Sequence, residues 1–223
     1  MKSLKRAAFT ACFAANCIII SYDVTSAQNA NQVVRDVEPI FSKCTETEKD
    51  KLKLALNKSR ELISSAFHEL SNKSPAERSR YKLYVVWFGT YSPERYESVV
   101  QTVSKIQRAL QGVKLTFLCR GGDDCERDDY AYADEPSVIG ICKNFWSKMT
   151  PTTGADSRAG TLIHEISHLT HVAGTDDATL CGRVQCSGQV DAKFLARNRP
   201  GLAVKTADNY QYFVENTPEM SEQ

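Results

Sequence analysis

The sequence predicts an α+β fold, because segments with helix-type and strand-type patterns follow one another without the regular alternation of a βαβ protein. Apolar residues recur at helical spacing in long segments of the first half, whereas shorter segments further on are rich in β-branched and aromatic residues. The 223 residues are enough for one domain of ordinary size with a real core. We therefore expect a helical N-terminal part, a small mixed sheet and a further helix after the sheet.

Residues 1–27 have the order of segments that is typical of a signal peptide. Basic residues precede a mostly apolar run over residues 7–20, and small residues end the segment at Ala27. The alternative is an uncleaved membrane anchor, but the run is shorter than the roughly 20 apolar residues that span a bilayer. We expect cleavage after Ala27, export to the extracellular space or a bacterial periplasm, and one domain of two lobes over residues 28–223.

The charge of the chain argues against nucleic-acid and membrane partners. The formal net charge is +1, and removal of residues 1–27 leaves the chain close to neutral. A surface that binds nucleic acid or anionic lipid needs a clustered excess of basic residues. We therefore expect no nucleic-acid partner and, after removal of the signal peptide, no membrane contact.

The cysteines indicate disulfides rather than a thiolate metal site. Two of the eight cysteines lie in the signal peptide, and an even set remains, which in an exported chain indicates three disulfides. Spacing alone leaves their pairing open. A zinc site made of thiolates would need close pairs such as C-x-x-C, and the sequence has none.

Three segments of the first half have clear patterns. Residues 45–48 are a capping box, and apolar residues at helical spacing after it predict a long amphipathic helix from Thr45 to Ser71. Residues 83–88, Leu-Tyr-Val-Val-Trp-Phe, have the β-branched and aromatic content of a buried strand. A serine followed by proline begins a second helix over residues 92–112.

Shorter elements follow in the second half. Apolar and polar residues alternate over 113–119, as in a strand, and residues 121–124 are typical of a turn-rich acidic loop. A short apolar strand is predicted at 138–142, and a helix opens near Asp156 or Ser157. The remaining predictions are an end of this helix at about Val172, a loop from Cys181 to Gly188, a helix over 192–197, a break at 199–201 and a last short helix over 207–215.

The most informative stretch is His-Glu-Ile-Ser-His at residues 164–168, inside the predicted helix. Residues four apart lie about 40° apart around a helix axis, so His164 and His168 can bind one metal ion from the same face. Glu165 lies beside that face, where it can accept a proton from an attacking water. The alternative is a surface helix that carries these residues by chance. Against it, the helix is otherwise apolar, and three of the four histidines occur within eight residues.

A third protein ligand has to come from outside the helix, since catalytic zinc sites use three protein ligands. The Gly-Thr-Asp-Asp sequence at residues 174–177 follows after a short turn and can return a carboxylate to the metal. Asp177 and Asp176 are both candidates. We interpret His171 as a surface or supporting residue, because a carboxylate is available.

These motifs together resemble those of the aspzincin metalloendopeptidases, the deuterolysin and peptidyl-lysine metallopeptidase group. The resemblance implies a zincin-like fold with an edge strand in the sheet and both histidines on the active-site helix. It also implies one zinc ion per chain, held by His164, His168 and Asp177, with Glu165 as the general base. The stretches that carry the resemblance are residues 160–168, Gly-Thr-x-Asp at 174–177, Ala-Asp-Asn-Tyr-Gln-Tyr-Phe at 207–213 and the strand region 139–146.

The resemblance also implies two of the disulfides, and the cysteines that remain would close a short loop beside the site. The two implied disulfides would tie the N-terminal helix and the edge strand to the sheet. The three predicted pairs are Cys44 with Cys119, Cys125 with Cys142, and Cys181 with Cys186.

The chain departs from the family pattern at the residue that is thought to hold the substrate carbonyl. Family members usually have Tyr-Gly shortly after the ligand aspartate, whereas here Gly188 is preceded by Ser187. Tyr210 and Tyr212 could replace that tyrosine, although we favour core packing for both.

A second departure concerns specificity. In lysine-specific members an aspartate, and a glutamate three residues later, are thought to face the lysine that follows the scissile bond. Asp208 matches the aspartate, but Gln211 stands at the second position and carries no charge. These two residues, with Tyr210 between them, are the predicted substrate-binding set, and the preference for Lys or Arg should be weaker than in the strict members. The alternative is that Asp208 only caps the following helix.

The leading hypothesis from the sequence is a secreted zinc endopeptidase that acts as a monomer on polypeptide substrates. A toxin or virulence protease with the same chemistry fits the sequence equally well. A zincin-like binding domain without turnover is the non-enzymatic alternative. Ser187 favours that alternative, whereas Glu165 argues against it, because a site without turnover has no need of a general base.

Overall fold

The computed structural model describes residues 37–120, 124–126, 128–147, 149–150, 156–177 and 187–216. The predicted signal peptide and the predicted pair Cys181 with Cys186 lie outside these residues, as does most of the predicted loops at 121–124 and 181–188. The elements in chain order are β1 (Ile40–Ser42), α1 (Glu46–Ser71), α2 (Pro75–Arg78), α3 (Lys82–Phe88), α4 (Pro93–Gly112), β2 (Thr116–Leu118), β3 (Ala131–Asp134), β4 (Val138–Ile141), α5 (Lys143–Ser147), α6 (Arg158–His168), α7 (Gln189–Asn198), α8 (Pro200–Ala203) and α9 (Ala207–Glu215).

The two long helices of the first half agree with their sequence signals. Thr45 and Glu48 form the predicted capping box, in which the Glu48 carboxylate accepts from the Thr45 backbone N–H at 2.7 Å. The Ser92 hydroxyl caps α4, which begins at Pro93. The buried faces of α1 and α4 pack together, and the Tyr96 hydroxyl donates to the Leu70 carbonyl at 2.8 Å.

The prediction of a strand at residues 83–88 is wrong, because this segment is the helix α3. Its buried side chains, Leu83, Tyr84, Trp87 and Phe88, lie on one helical face, whereas Val85 and Val86 are partly exposed. A short apolar run has no periodicity that separates a strand from a buried helix. The packing of α3 against α7 and α9 selects the helix.

The sheet is small and mixed, as predicted. Its strand order is β1-β2-β4-β3, with β1, β2 and β4 parallel and β3 antiparallel to β4 at one edge. The predicted strands at 113–119 and 138–142 are confirmed in shortened form as β2 and β4. The sequence did not predict β1 and β3, which are short and carry no clear alternation.

Two disulfides attach neighbouring segments to this sheet. Cys44, between β1 and α1, is bonded to Cys119 after β2. Cys125 is bonded to Cys142, directly after β4. These are the two pairs that the resemblance implied.

Loss of the disulfide that closes the longer loop should destabilise the protein more. Cys44 and Cys119 are 75 residues apart, and Cys125 and Cys142 are 17 apart. In the loop-entropy model the first contributes on the order of 4 kcal/mol and the second about 3 kcal/mol to the free energy of unfolding. Denaturant unfolding of the two double Cys→Ala variants measures both values. A larger loss in the Cys125 and Cys142 variant would contradict this order.

Elements from both halves of the chain surround α6. This helix packs against α1, α4, α9 and the edge strand β3. The predicted helix at 207–215 is confirmed as α9, and the one at 192–197 lies within α7. The predicted break at 199–201 overlaps the start of the short helix α8. No helix in the described ranges is long and apolar enough to cross a bilayer.

Candidate metal centre

The helix α6 places both histidines on one face. Its first turn is capped by the Ser157 hydroxyl, which accepts from the Gly160 N–H at 2.9 Å. Leu162, Ile163 and Ile166 are fully buried and hold the opposite face in the core. The His164 and His168 rings project from the remaining face, with their centroids 4.8 Å apart.

Three side chains converge beside this face as a group able to hold a metal ion. The Asp177 Oδ1 atom lies 3.2 Å from Nε2 of His164 and 3.4 Å from Nε2 of His168. One ligand atom from each residue falls within 4.8 Å of the others. Two imidazole nitrogens and one carboxylate oxygen form a donor set that suits Zn²⁺ and leaves a fourth position for water or substrate.

A tight turn after α6 brings Asp177 to the histidines. The helix ends at His168 and not near Val172 as predicted, and the Leu169 carbonyl accepts from the Gly174 N–H at 3.1 Å. Gly174 has a φ of 57°, which favours glycine. The returning chain is then fixed on both sides, because Thr175 N donates to Ser167 O at 3.1 Å and Asp176 N donates to Lys205 O at 2.9 Å.

The two alternative ligands lie outside this group. The backbone of Asp176 pairs with the segment around Thr206, and its side chain is not among the converging atoms. His171 is exposed, and its Nδ1 atom lies 3.8 Å from the Glu135 carboxylate. Asp176 and His171 therefore lie apart from the group that Asp177 joins.

Each imidazole has an oxygen partner behind it. The His168 Nδ1–H donates to the Thr175 carbonyl at 2.7 Å, so its Nε2 atom keeps a lone pair for a metal. The His164 Nδ1 atom lies 3.1 Å from Asp208 Oδ1. The other oxygen of Asp208 accepts from the Gly188 N–H at 2.9 Å. Asp208 therefore connects α9, a candidate metal ligand and the start of α7.

The charges of the site suit a cation. Burial lowers the pKa of His164, but the Asp177 and Asp208 carboxylates outweigh it and hold this pKa well above its ordinary value. The pKa of His168 is also raised. Burial lowers it, and the oxygen partners of the ring, of which Asp177 is the main carboxylate, outweigh burial. The two imidazoles in turn hold the pKa of Asp177 far below its usual range. Metal binding would therefore displace protons from this site.

Glu165 lies beside the histidines without joining them. Its side chain is buried, and burial raises its pKa, while the neighbouring His164 and His168 act in the opposite direction. Its carboxylate is not among the converging ligand atoms. A carboxylate with a raised pKa is a more effective proton acceptor near neutral pH than an ordinary glutamate.

Tyr210, a member of the predicted substrate-binding set, lies in the core. Its ring is fully buried, and its hydroxyl donates to the Val204 carbonyl at 2.7 Å. Tyr212 is also in the core, where its ring stacks on Trp87 and its hydroxyl donates to Asp156 at 2.7 Å. The sequence analysis favoured core packing for both rings. Among the described residues, neither tyrosine hydroxyl forms a hydrogen bond with His164, His168 or Asp177.

The other residues of the predicted substrate-binding set lie deeper than expected. Gln211 is 4 % exposed, and Asp208 is 8 % exposed with both carboxylate oxygens in contact with protein atoms. Ser187, at the position of the family tyrosine, is exposed. Gly188 has a φ of 88° and begins α7.

The sequence analysis missed the supporting roles of Thr175 and Asp208. Thr175 belongs to the Gly-Thr-x-Asp motif, so its place was indicated, but its carbonyl contact with His168 depends on the turn. Asp208 is 44 residues from His164 along the chain, and only the packing of α9 on α6 joins them.

Comparisons with known proteins show which family the chain resembles. A model of the aspzincin family, described as lysine-specific metallo-endopeptidase, matches residues 72–215. An extracellular protease of Aeromonas hydrophila is 38% identical over 178 residues, which are 79% of this chain and 46% of that protein. A peptidyl-Lys metalloendopeptidase of Armillaria mellea is 36% identical over 184 residues, which are 81% of this chain and 47% of that protein.

Two further matches extend over all or nearly all of the similar protein. A peptidyl-Lys metalloendopeptidase of Pleurotus ostreatus is 34% identical over 81% of this chain and 99% of its own length. The solved structure of a zinc peptidase from Grifola frondosa superposes with a TM-score of 0.64 at 31% identity, over 80% of this chain and 100% of that one. This chain thus spans about half the length of the Aeromonas and Armillaria relatives and nearly all of the Pleurotus one.

Proposed function

Because the chain belongs to the aspzincin family of metalloendopeptidases, we propose that it is a secreted zinc-dependent endopeptidase that acts as a monomer on polypeptides. The observation that carries the proposal is the convergence of His164, His168 and Asp177 beside a buried glutamate. Export is supported by residues 1–27, by the disulfides and by the name of the Aeromonas relative, an extracellular protease.

His164, His168 and Asp177 are the proposed ligands of one zinc ion. When bound, zinc lowers the pKa of a water molecule and polarises the carbonyl of the scissile peptide bond. The Thr175 carbonyl and the Asp208 carboxylate orient the two imidazoles so that both Nε2 atoms face the same point. Partners of this kind fix the ring orientation and raise the basicity of the ligand.

Glu165 is the proposed general base. Its buried carboxylate accepts a proton from the attacking water and can deliver it to the nitrogen of the leaving amine. Burial raises the pKa of Glu165, which makes its carboxylate a better proton acceptor than an exposed one and supports this role. The oxygen of the tetrahedral intermediate has no assigned side-chain donor, since Ser187 replaces the family tyrosine.

Chelation tests the proposal directly. The purified protein should cleave casein, o-phenanthroline should abolish the cleavage, and added zinc should restore it. Cleavage that chelation leaves unchanged would contradict zinc dependence. A protein that binds zinc but cleaves neither casein nor a peptide library would instead be a zincin-like binding domain, the alternative that Ser187 favours. A toxin or virulence protease differs in its target and not in this chemistry.

The proposed cleavage preference is Lys or Arg after the scissile bond, held less strictly than in peptidyl-Lys enzymes. Asp208 supplies one carboxylate near the site, and the neutral Gln211 offers a weaker partner than a second carboxylate would. The expected preference is lower than in a strict enzyme by about 5- to 30-fold in kcat/KM. Digestion of a peptide library, with the residue after each cleaved bond recorded, measures it.

Gln211→Glu is the informative variant for this preference. Asp208 also contacts His164, so that Asp208→Asn would change the metal site together with the pocket. Gln211 is not among the converging ligand atoms, although its side chain hydrogen-bonds to Glu215. Gln211→Glu should raise the preference for Lys. A library with no basic preference in either protein would exclude the proposed pocket.

A further inference from the structure

Helix α9 contacts the active-site helix α6 at two points, its start and its middle, through carboxylates. Asp208, near the start of α9, lies 3.1 Å from the Nδ1 atom of His164. Glu215, the last residue of α9, contacts Ser157, directly before α6. The two helices are therefore antiparallel. The separation of 208 from 215 equals that of 157 from 164, about 10 Å along a helix axis.

The Glu215 carboxylate is hydrogen-bonded to the N-cap residue of α6. Its Oε1 atom accepts from both the backbone N–H and the hydroxyl of Ser157, each at 2.8 Å. The Ser157 hydroxyl in turn accepts from Gly160 N and caps the helix. The second oxygen, Oε2, is shielded from solvent. A carboxylate is favourable at the N-terminus of α6 and unfavourable at the C-terminus of its own helix α9. The Glu215 carboxylate therefore stabilises the N-terminus of α6 rather than its own helix α9.

Gly160 makes room for this carboxylate. A Cβ atom at this position would overlap Oε1, Cδ and Cγ of Glu215. Glycine weakens a helix relative to alanine. Its presence in the first turn of α6 is explained by the close approach of Glu215.

We propose that Glu215 is a positioning residue, which with Ser157 and Gly160 sets the axial position of α6 against α9. Asp208 contacts the same helix seven residues further on, at His164, so that the segment leading to His164 and Glu165 is held at two points. A buried carboxylate with directional hydrogen bonds defines one alignment of the helices, whereas apolar contacts tolerate small shifts. The inference rests on the proposed endopeptidase function, because it assigns α6 the catalytic groups.

Both protonation states of Glu215 fit this role. Burial raises the pKa of Glu215 to about 7, the two bonds from Ser157 lower it, and the nearby Asp156 raises it. The neutral acid can still accept at Oε1. Glu215→Gln keeps that oxygen, whereas Glu215→Ala removes it.

Three variants test the alignment through kcat, KM and zinc affinity. Glu215→Ala should lower kcat and zinc affinity by about 10-fold, with little change in KM, by analogy with the loss of partners that orient metal ligands. Glu215→Gln should recover most of this loss. Glu61→Ala is the control, since Glu61 forms an exposed pair with Lys58 and should leave all values unchanged. Equal losses in Glu215→Gln and Glu215→Ala would overturn the proposal.

A double substitution gives an independent test of the close approach. Gly160→Ala should lower kcat about 10-fold or more, because the methyl group displaces the carboxylate. The double variant with Glu215→Ala should lose no more kcat than Glu215→Ala alone, since the effects of contacting residues are not additive. Gly112→Ala is the matched control, as nothing lies within 4 Å of a Cβ there. Wild-type kcat in Gly160→Ala, or in Glu215→Ala, would overturn the proposal and leave the endopeptidase function standing. A wild-type protein without zinc-dependent cleavage would instead remove the proposed function.

Discussion

Glu165→Gln should lower kcat by about 100-fold or more while zinc stays bound, within the range for loss of a general base. Glutamine has nearly the shape of glutamate, but its amide cannot take a proton from the attacking water. The metal should remain, because the converging ligand atoms belong to His164, His168 and Asp177 and not to Glu165. Steady-state kinetics together with metal analysis on the same sample measure both parts of the prediction.

The result separates two roles for Glu165. Near wild-type turnover in Glu165→Gln would show that another group accepts the proton. Loss of zinc from this variant would mean that the buried carboxylate holds the site together rather than acting on water. Glu61→Gln, at an exposed position of α1, controls for the handling of a Glu→Gln variant.

His168→Ala should remove zinc and activity together. His168 is one of the two proposed imidazole ligands, and its Nδ1–H donates to the carbonyl of Thr175, two residues before the proposed ligand Asp177. Its loss leaves two protein ligands, fewer than the three of catalytic zinc sites. Since partners around metal ligands alone alter affinity by roughly 10- to 100-fold, the loss of a ligand itself should exceed that range.

His171→Ala is the matched control for this prediction. His171 is a histidine of the same segment, but it is exposed and lies near Glu135, outside the ligand group. Its variant should keep zinc and turnover. Full zinc occupancy in His168→Ala, measured by metal analysis after dialysis, would refute the assigned ligand set.

Local sequence signals were sufficient where the determining contacts are close in the chain. The capping box at Thr45 and Glu48 and the proline after Ser92 defined the starts of α1 and α4, because their hydrogen bonds lie within one helical turn. The same holds for His164 and His168, whose spacing of four residues puts both on one face of any α-helix.

Tertiary structure decided the features that depend on distant segments. Residues 83–88 are helical because α7 and α9 cover one face of this segment, a contact that its composition does not express. Tyr210 is also buried by packing against distant segments, although it lies between Asp208 and Gln211, which the sequence predicts to bind substrate.

The candidate metal centre also has some features set by local sequence and others set by tertiary contacts. The sequence by itself determined two histidines, the adjacent glutamate and a returning carboxylate, because helix periodicity and a short turn are local properties. Only the folded chain decided that Leu169 ends the helix early enough for Asp177 to face both imidazoles. It also decided that Asp208 lies behind His164, since that contact forms only when α9 packs against α6. Such contacts depend on the summed burial of many side chains, which no single segment encodes.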